Sequence, residues 1–373
     1  MKKNLARTTI TELLQLAGIT INGSALWDMQ IHNEQFYSRV LRDTDIGLGE
    51  AYMEGWWDCP RVDMLIARFA EARIDTKLKS NTSLAIKLLL SKMINFQTKD
   101  RALQVGKRHY DLGNDLFKAM LDSTMTYTCG YWKNAQTLEE AQLAKLDLTC
   151  RKLLLKPGMR LLDIGCGWGS LAKYAVENYG VEVVGITISK QQCELAKERC
   201  KSLAIDIRFQ DYRDLNEQFD RVVSLGMFEH VGYLNYRQYM QVVHRCLKDD
   251  GLFLLHTIGG NESTTHTMPW IAKYIFPNGM VPSIKQIGEA VEKLFVMEDW
   301  HNFGVDYYKT LMAWHENFNH NWDTIKANYG EQFFRMWNYY LLYCAGGFNT
   351  RTMQLWQIVF SKTGLKAGYI APR

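Results

Sequence analysis

The chain has 373 residues, 47% of them apolar, and 44 basic against 40 acidic side chains give a net charge of +4. This length accommodates one large core plus a smaller domain, and the near balance of charge excludes a global field that would gather nucleic acid. The eight cysteines form no CxxC pair and no His/Cys ligand spacing, so reduced thiols of a cytoplasmic chain are expected, and no metal.

At the start, two lysines precede TITELLQLAGITI, an apolar stretch interrupted by Glu12, which argues against a signal peptide. Helical periodicity in TITELLQLAGI and VDMLIARFAEARI, around the Gly- and Trp-rich GLGEAYMEGWWDCP, predicts a small, mainly helical N-terminal domain over residues 1–75. Residues 76–108 form the most basic segment, with Lys77, Lys79, Lys87, Lys92, Lys99, Arg101, Lys107 and Arg108 against Asp100 alone. Within it, SLAIKLLLSKMINF places Ile86, Leu89, Leu90 and Met93 on one helical face. Two readings stay open: a core helix with solvated lysines, or a basic amphipathic helix on an anionic membrane.

The third segment, 109–373, opens on RHYDLGNDLFKAMLDSTMTYTCGYW, an aromatic-rich stretch that composition alone reads as a docking segment. From about residue 150 apolar runs alternate with amphipathic helical patterns: MRLLDIG, SLAKYAVENYG, VEVVGITI, KQQCELAKERCKSL, IDIRFQ, FDRVVSLGMF, YRQYMQVVHRCLK and GLFLLHTI. Strands spaced by helices predict an α/β fold with a doubly wound, mostly parallel sheet and the ligand at the strands' carboxyl ends. Residues 260–345, rich in Trp, Tyr, Phe and Met, are expected as a helical cap, and WQIVFSK as a closing strand. The longest uncharged run, between Arg335 and Arg351, is too short for a bilayer that needs about 20 apolar residues, so any membrane contact is expected to be peripheral.

Chemistry concentrates in LLDIGCGWGS, 161–170, where an apolar run breaks into Gly165, Gly167 and Gly169 before a helix begins. Such a turn lays bare backbone and unpaired amide hydrogens against a nucleotide-like ligand. The GxGxG spacing is tighter than that of dinucleotide folds, and the preceding Asp163 suits an amino-acid ammonium better than a pyrophosphate, which favours S-adenosylmethionine over NAD. Thr187, Ser189 and Gln192 after the second strand either grip a ribose or cap the next helix. Asp211 and Tyr212 after the third stand where an adenine edge would lie, with a solvated turn as the alternative. Glu229 and His230 after the fourth strand and His256 in the fifth converge on the same crevice, which makes Glu229 and His256 candidates for a shared polar site.

The stretches HYDLGNDLF, TYTCGYW, LLDIGCGWG, GITISKQQ, QDYRDL, GMFEHVG, LLHTIG, YIFPNG, MEDWHNFGVDY and CAGGFNT, with GLGEAYMEGWW in the N-terminal part, resemble in order and spacing the cyclopropane-fatty-acyl-phospholipid synthases. The mycolic acid cyclopropane synthases share the catalytic part but generally lack the N-terminal domain, which favours phospholipid acyl chains. The resemblance implies a methyltransferase fold with a helical cap, and transfer of a methylene from S-adenosylmethionine to a cis double bond. It also implies a bound bicarbonate as the base, at Cys129, Glu229, His256, Tyr307 and the backbone of Ile258, with Cys344 at a position the family counts as active-site. Cofactor contacts carried over are Tyr127 and Thr128, the loop Leu161–Gly169 including Asp163, Gly165, Cys166 and Gly167, the run Thr187, Ile188, Ser189 and Gln192, and Tyr212 with Arg213, beside Asp211. Where relatives often read YSCAYW this chain reads YTCGYW, which keeps a hydroxyl at Thr128. A bilayer surface and a second copy of the chain are the partners implied, with no nucleic acid, and the inner face of the membrane is the expected place. Two rivals remain: a methyltransferase that leaves a methyl or methylene branch on the acyl chain, and a lipid- or S-adenosylmethionine-binding regulator with a dead site.

Overall fold

The computed structural model describes residues 2–73 and 113–373. The basic segment 76–108, with the amphipathic helix expected in it, lies outside the described residues. The chain opens with helix α1 (Lys2–Leu16), strand β1 (Gln30–Ile31), helix α2 (Gln35–Met53), strand β2 (Trp57–Asp58) and helix α3 (Val62–Glu71); β1 and β2 pair antiparallel. Their apolar faces do not close on one another alone. One continuous apolar cluster joins Ile10, Phe36, Trp57 and Leu65 of this part to Trp270, Trp314, Trp337 and Tyr339 from far along the chain. Tyr339 meets the Trp57 ring edge-on at 6.3 Å and the Trp270 ring at 4.7 Å. A Cβ on Gly49 would stand 2.4 Å from the Trp270 indole, so GLGEAYM needs its second glycine for this approach. Polar contacts follow the same seam: Glu50 accepts from Lys273 at 2.6 Å and Tyr274 at 2.7 Å, and Arg335 reaches Asp58 at 2.7 Å.

After α4 (Asn114–Met120) and α5 (Leu138–Lys152) the alternating pattern begins, and it unfolds in the expected order. Strand β3 (Arg160–Ile164), helix α6 (Ser170–Tyr179), strand β4 (Glu182–Thr187), helix α7 (Lys190–Arg199), strand β5 (Ile205–Phe209), strand β6 (Phe219–Leu225), helix α8 (Tyr236–Cys246) and strand β7 (Leu247–Gly260) build the sheet. Helices α9 (Pro269–Tyr274) and α10 (Ile284–Val291), strand β8 (Val296–Asn302), helices α11 (Gly304–Ile325) and α12 (Glu331–Asn349), and strand β9 (Met353–Ser361) complete the chain. The seven strands lie in the order β5-β4-β3-β6-β7-β9-β8, parallel through β7, with β9 antiparallel to both its neighbours. Leu162 and Ile164 of β3 enter the apolar layer on one face, and Leu161 enters the layer on the other. This double burial explains the unbroken apolar reading of the run.

The expectation of a helical cap over 260–345 needs one correction. Within that segment β8 is an edge strand of the main sheet, paired only with β9. Its sequence VMEDWHN carries charged groups because an edge strand leaves part of its surface to solvent. The long helices α11 and α12 do cover the carboxyl-end side, where the ligand of such a sheet is expected.

Candidate active site

The strand order reverses between β3 and β6, and the pocket opens at that switch point. Gly165 turns the chain at φ +86°, and a Cβ there would meet Met227 at 2.8 Å. Gly167 follows at φ +55° with open space above it, so the backbone presents its bare surface to the pocket. The amides of Gly165 and Cys166 donate to the Ile186 carbonyl at 2.9 and 3.0 Å, pinning the loop to β4.

Of the residues expected to touch the cofactor, Tyr127, Thr128, Asp163, Gly165, Cys166, Gly167, Thr187, Ile188, Ser189, Gln192, Asp211, Tyr212 and Arg213 all line this one pocket. Leu161 does not: it is buried in the apolar layer beneath, within β3 and ahead of the turn at Gly165. Gly169, at φ +80°, caps α6 beside the pocket, with Cys200 filling the space its side chain would need. Of the two readings of the second strand end, the helix cap is seen directly. Ser189 caps α7 by accepting from the Gln192 amide at 3.3 Å, and Thr187 donates to Gln192 Oε1 at 3.0 Å. Asp211 accepts from the Arg213 amide at 2.9 Å, while the Tyr212 hydroxyl is buried without a hydrogen-bond partner.

Asp163 is buried at the end of β3, and the cost of desolvating its carboxylate pushes its pKa up to about 7, opposed by the nearby Lys145 ammonium. Lys145, on α5, is fully buried and lines the same pocket, donating from Nζ to the Thr128 hydroxyl at 2.8 Å. Burial pulls its pKa down to about 8, against the pull of Asp122, Cys129 and Asp163. The sequence reading passed over this lysine. The capping box of α5, Thr137 with Glu140, was the available signal for the helix, but a lysine in LEEAQLAKLDLTCRK reads as a solvent-facing charge.

None of the six residues expected at the chemistry lines the cofactor pocket; they form a second group behind it. Cys129 follows Thr128 directly, Glu229 precedes the pocket residue His230, and the Gly226 amide of the pocket wall donates to the His256 carbonyl at 2.9 Å. Glu229 Oε1 accepts from the Ile258 amide at 2.7 Å, so that backbone donor is already engaged, while Oε2 is buried with no partner. Burial pushes the Glu229 pKa up to about 7. His256 is buried with Nε2 unpartnered, and burial, reinforced by the positive charges of Lys145 and Lys152, holds the ring neutral. Burial pushes the Tyr307 pKa well above the usual phenol range, and Cys129, Tyr127, Glu229 and Cys344 are near enough that ionisation of any of them would push it further. Aromatic rings close the surroundings: Tyr307 lies 4.6 Å from Phe348 and 5.8 Å from Trp314, and Tyr127 shares a 2.8 Å hydrogen bond with Tyr340.

Cys344 is half-buried against this aromatic group, and desolvation pushes its pKa up to about 12. A thiol so far from ionising is no nucleophile at neutral pH. Cys344→Ser is therefore expected to keep activity within about tenfold of the parent, because an isosteric hydroxyl perturbs packing by only ~1 kcal/mol. Initial rates on the same lipid check this, and inactivation by more than a thousandfold would return the thiol to the chemistry.

Comparison with known proteins agrees with this architecture. The family model for mycolic acid cyclopropane synthetase matches residues 97–358. The cyclopropane-fatty-acyl-phospholipid synthase of Escherichia coli K12 is 56% identical over 351 residues, spanning 94% of this chain and 92% of that protein. The cyclopropane synthase MmaA2 from Mycobacterium tuberculosis superposes with a TM-score of 0.66 at 33% identity, covering 72% of this chain and 100% of its own. A mycolic acid cyclopropane synthase solved with SAH and CTAB gives a TM-score of 0.66 at 35% identity, over 70% of this chain and 98% of its own. With this match and the glycine turn and strand order that accompany it, the chain belongs to the cyclopropane synthase family of S-adenosylmethionine-dependent methyltransferases.

Proposed function

We propose that the protein is a cyclopropane-fatty-acyl-phospholipid synthase, which transfers a methylene from S-adenosylmethionine to the cis double bond of an unsaturated acyl chain in a membrane phospholipid. The observation that carries the reading is the 56% identity over 94% of the chain, because it extends through the N-terminal part that precedes the family model at residue 97.

The pocket fits the cofactor by its own chemistry: a bare glycine turn, the buried Asp163 carboxyl for an ammonium, and the unpartnered Tyr212 hydroxyl. When bound, S-adenosylmethionine supplies an electrophilic methyl on a sulfonium. The chain's part is to hold a weakly nucleophilic alkene in line with that methyl and to keep water from the cation that follows. The negative ring faces of Tyr127, Tyr307 and Trp314 suit such a cation. Ring closure then requires loss of one proton from the transferred methyl.

The inner cluster fits a bicarbonate ion, which would supply a small base in an apolar surround where an extra protein carboxylate would be costly. Glu229 Oε2 is an acceptor for its hydroxyl, and His256 Nε2 and the Tyr307 hydroxyl are the donors for its oxygens, while the Cys129 thiol already donates to the Gly130 carbonyl at 3.1 Å and lines the site only by packing. The Ile258 amide, spent on Glu229, acts by fixing that carboxylate.

The reading includes peripheral attachment to the inner face of the membrane: no helix among the described residues is long and apolar enough to cross a bilayer, and residues 76–108 are strongly basic. It also includes a homodimer, on family resemblance alone, which sedimentation of the purified chain tests. Turnover is expected on vesicles of unsaturated phospholipid, to rise with anionic lipid content, and to fall when bicarbonate is stripped from the buffer and return when it is restored. Activity on soluble short-chain esters with none on vesicles would contradict the membrane part, and indifference to bicarbonate would contradict the base.

A further inference from the structure

The antiparallel ladder of β7 and β9 sets His256 directly opposite Gln357, two side chains about a hundred residues apart in sequence, and both are buried. Gln357 Nε2 lies 3.1 Å from the Thr149 hydroxyl and 3.4 Å from His256 Nδ1. The Thr149 hydroxyl has one hydrogen, which goes to the Lys145 carbonyl at 2.8 Å. Thr149 must therefore accept from Gln357, and the group facing it is the amide NH₂. The second hydrogen of that NH₂ points to His256 Nδ1, which must then be the bare, accepting nitrogen. With the ring held neutral, the single imidazole proton is left on Nε2, the atom that is buried and has no hydrogen-bond partner within the chain.

We propose that Gln357, anchored by Thr149, is a positioning residue that fixes the tautomer of His256 so that Nε2–H is presented as a donor to the small anion of the catalytic cluster. The proposal rests on the reading of His256 given above, and it deepens that reading by assigning the proton. Gln357 touches neither lipid nor cofactor; it acts through the imidazole alone. The Gln357 Oε1 atom accepts no hydrogen bond, so the polar contacts of this amide are those its nitrogen donates.

The test is ¹⁵N spectroscopy of histidine-labelled full-length protein, with the His256 signals identified by their loss in His256→Gln. The parent is expected to show a bare Nδ1 and a protonated Nε2. In Gln357→Glu the new carboxylate accepts from the ring instead, so Nδ1 is expected to carry a hydrogen. Gln357→Leu, which folds around a side chain of similar size, is expected to lower kcat by about 10–100-fold, the scale of a lost orienting partner, with KM for S-adenosylmethionine within about twofold. A parent His256 protonated at Nδ1, or a Gln357→Leu enzyme with unchanged kcat and unchanged ring signals, would overturn the proposal. Full turnover in His256→Gln with the tautomer as assigned would overturn the catalytic reading of His256 on which the proposal rests.

Discussion

Glu229→Gln is expected to lower kcat by about 10²–10⁴-fold, the range of a lost proton-handling group, while the Kd for S-adenosylmethionine stays within about threefold. The amide oxygen can still accept from the Ile258 amide as Glu229 Oε1 does at 2.7 Å, so the local backbone is preserved. What is lost is the acceptor at Oε2, replaced by an NH₂ with no partner waiting for it. His256→Ala is expected to fall in the same range for the complementary reason, the loss of a buried donor. The separation of the inner cluster from the cofactor pocket is the reason the two constants part company: neither residue lines the pocket. Calorimetric titration with the cofactor beside initial rates on vesicles measures both. If cofactor affinity falls as far as turnover, these side chains stand in the cofactor's site and not behind it.

Asp163→Asn is expected to do the reverse. A hydrogen bond to a charged group contributes about 1.5–3 kcal/mol, so the affinity for S-adenosylmethionine should drop roughly 10–150-fold, with kcat at saturating cofactor little changed. The pH dependence follows from the upward shift of Asp163 to about 7 by burial. Binding of an ammonium requires the carboxylate, so cofactor affinity should rise as pH increases through about 7, until the cofactor's own α-ammonium begins to lose its proton at about 8; the asparagine variant should lack the rise. Stability of the free chain runs the other way. A buried acid with a raised pKa binds its proton more tightly folded than unfolded, so its contribution is fully present below the unfolded value near 4 and is lost as pH rises through about 7. Glu229, also raised to about 7, adds to the same decline. Thermal midpoints of the free protein across that window check the sign, and a midpoint that climbs with pH and is unaffected by Asp163→Asn would contradict it.

The sheet from β3 to β7 was legible because its inner strands β3, β4, β6 and β7 are buried on both faces and so read as apolar runs, and because the turn at 165–169 needs glycines at positive φ. Most of the pocket-lining residues were legible because they sit within a few residues of a strand's carboxyl end. Strand β8 was hidden because VMEDWHN, at the sheet edge, keeps charges such as Glu298 and Asp299 that bind Ser361 and Arg373. Lys145 was hidden because a buried lysine has the same letter as an exposed one; only its surroundings, Thr128 and Asp163, give it a role. Gln357 was beyond reach in the sequence, since its meaning comes from the β7–β9 register and the hydrogen bonds of Thr149. The helices of residues 2–71 showed in their periodicity, but the periodicity does not say that their apolar faces close on Trp270, Trp337 and Tyr339.

The most direct measurement is the structure of the lipid product. The purified protein is incubated with S-adenosylmethionine and vesicles of cis-unsaturated phospholipid, and the fatty-acid methyl esters are examined by mass spectrometry and proton NMR. Gain of one CH₂ with loss of the vinyl signals and appearance of high-field ring protons is the predicted result. The same gain in mass with a surviving olefin or a branched methyl would contradict it and make the protein an acyl-chain methyltransferase that quenches the same cation by another route.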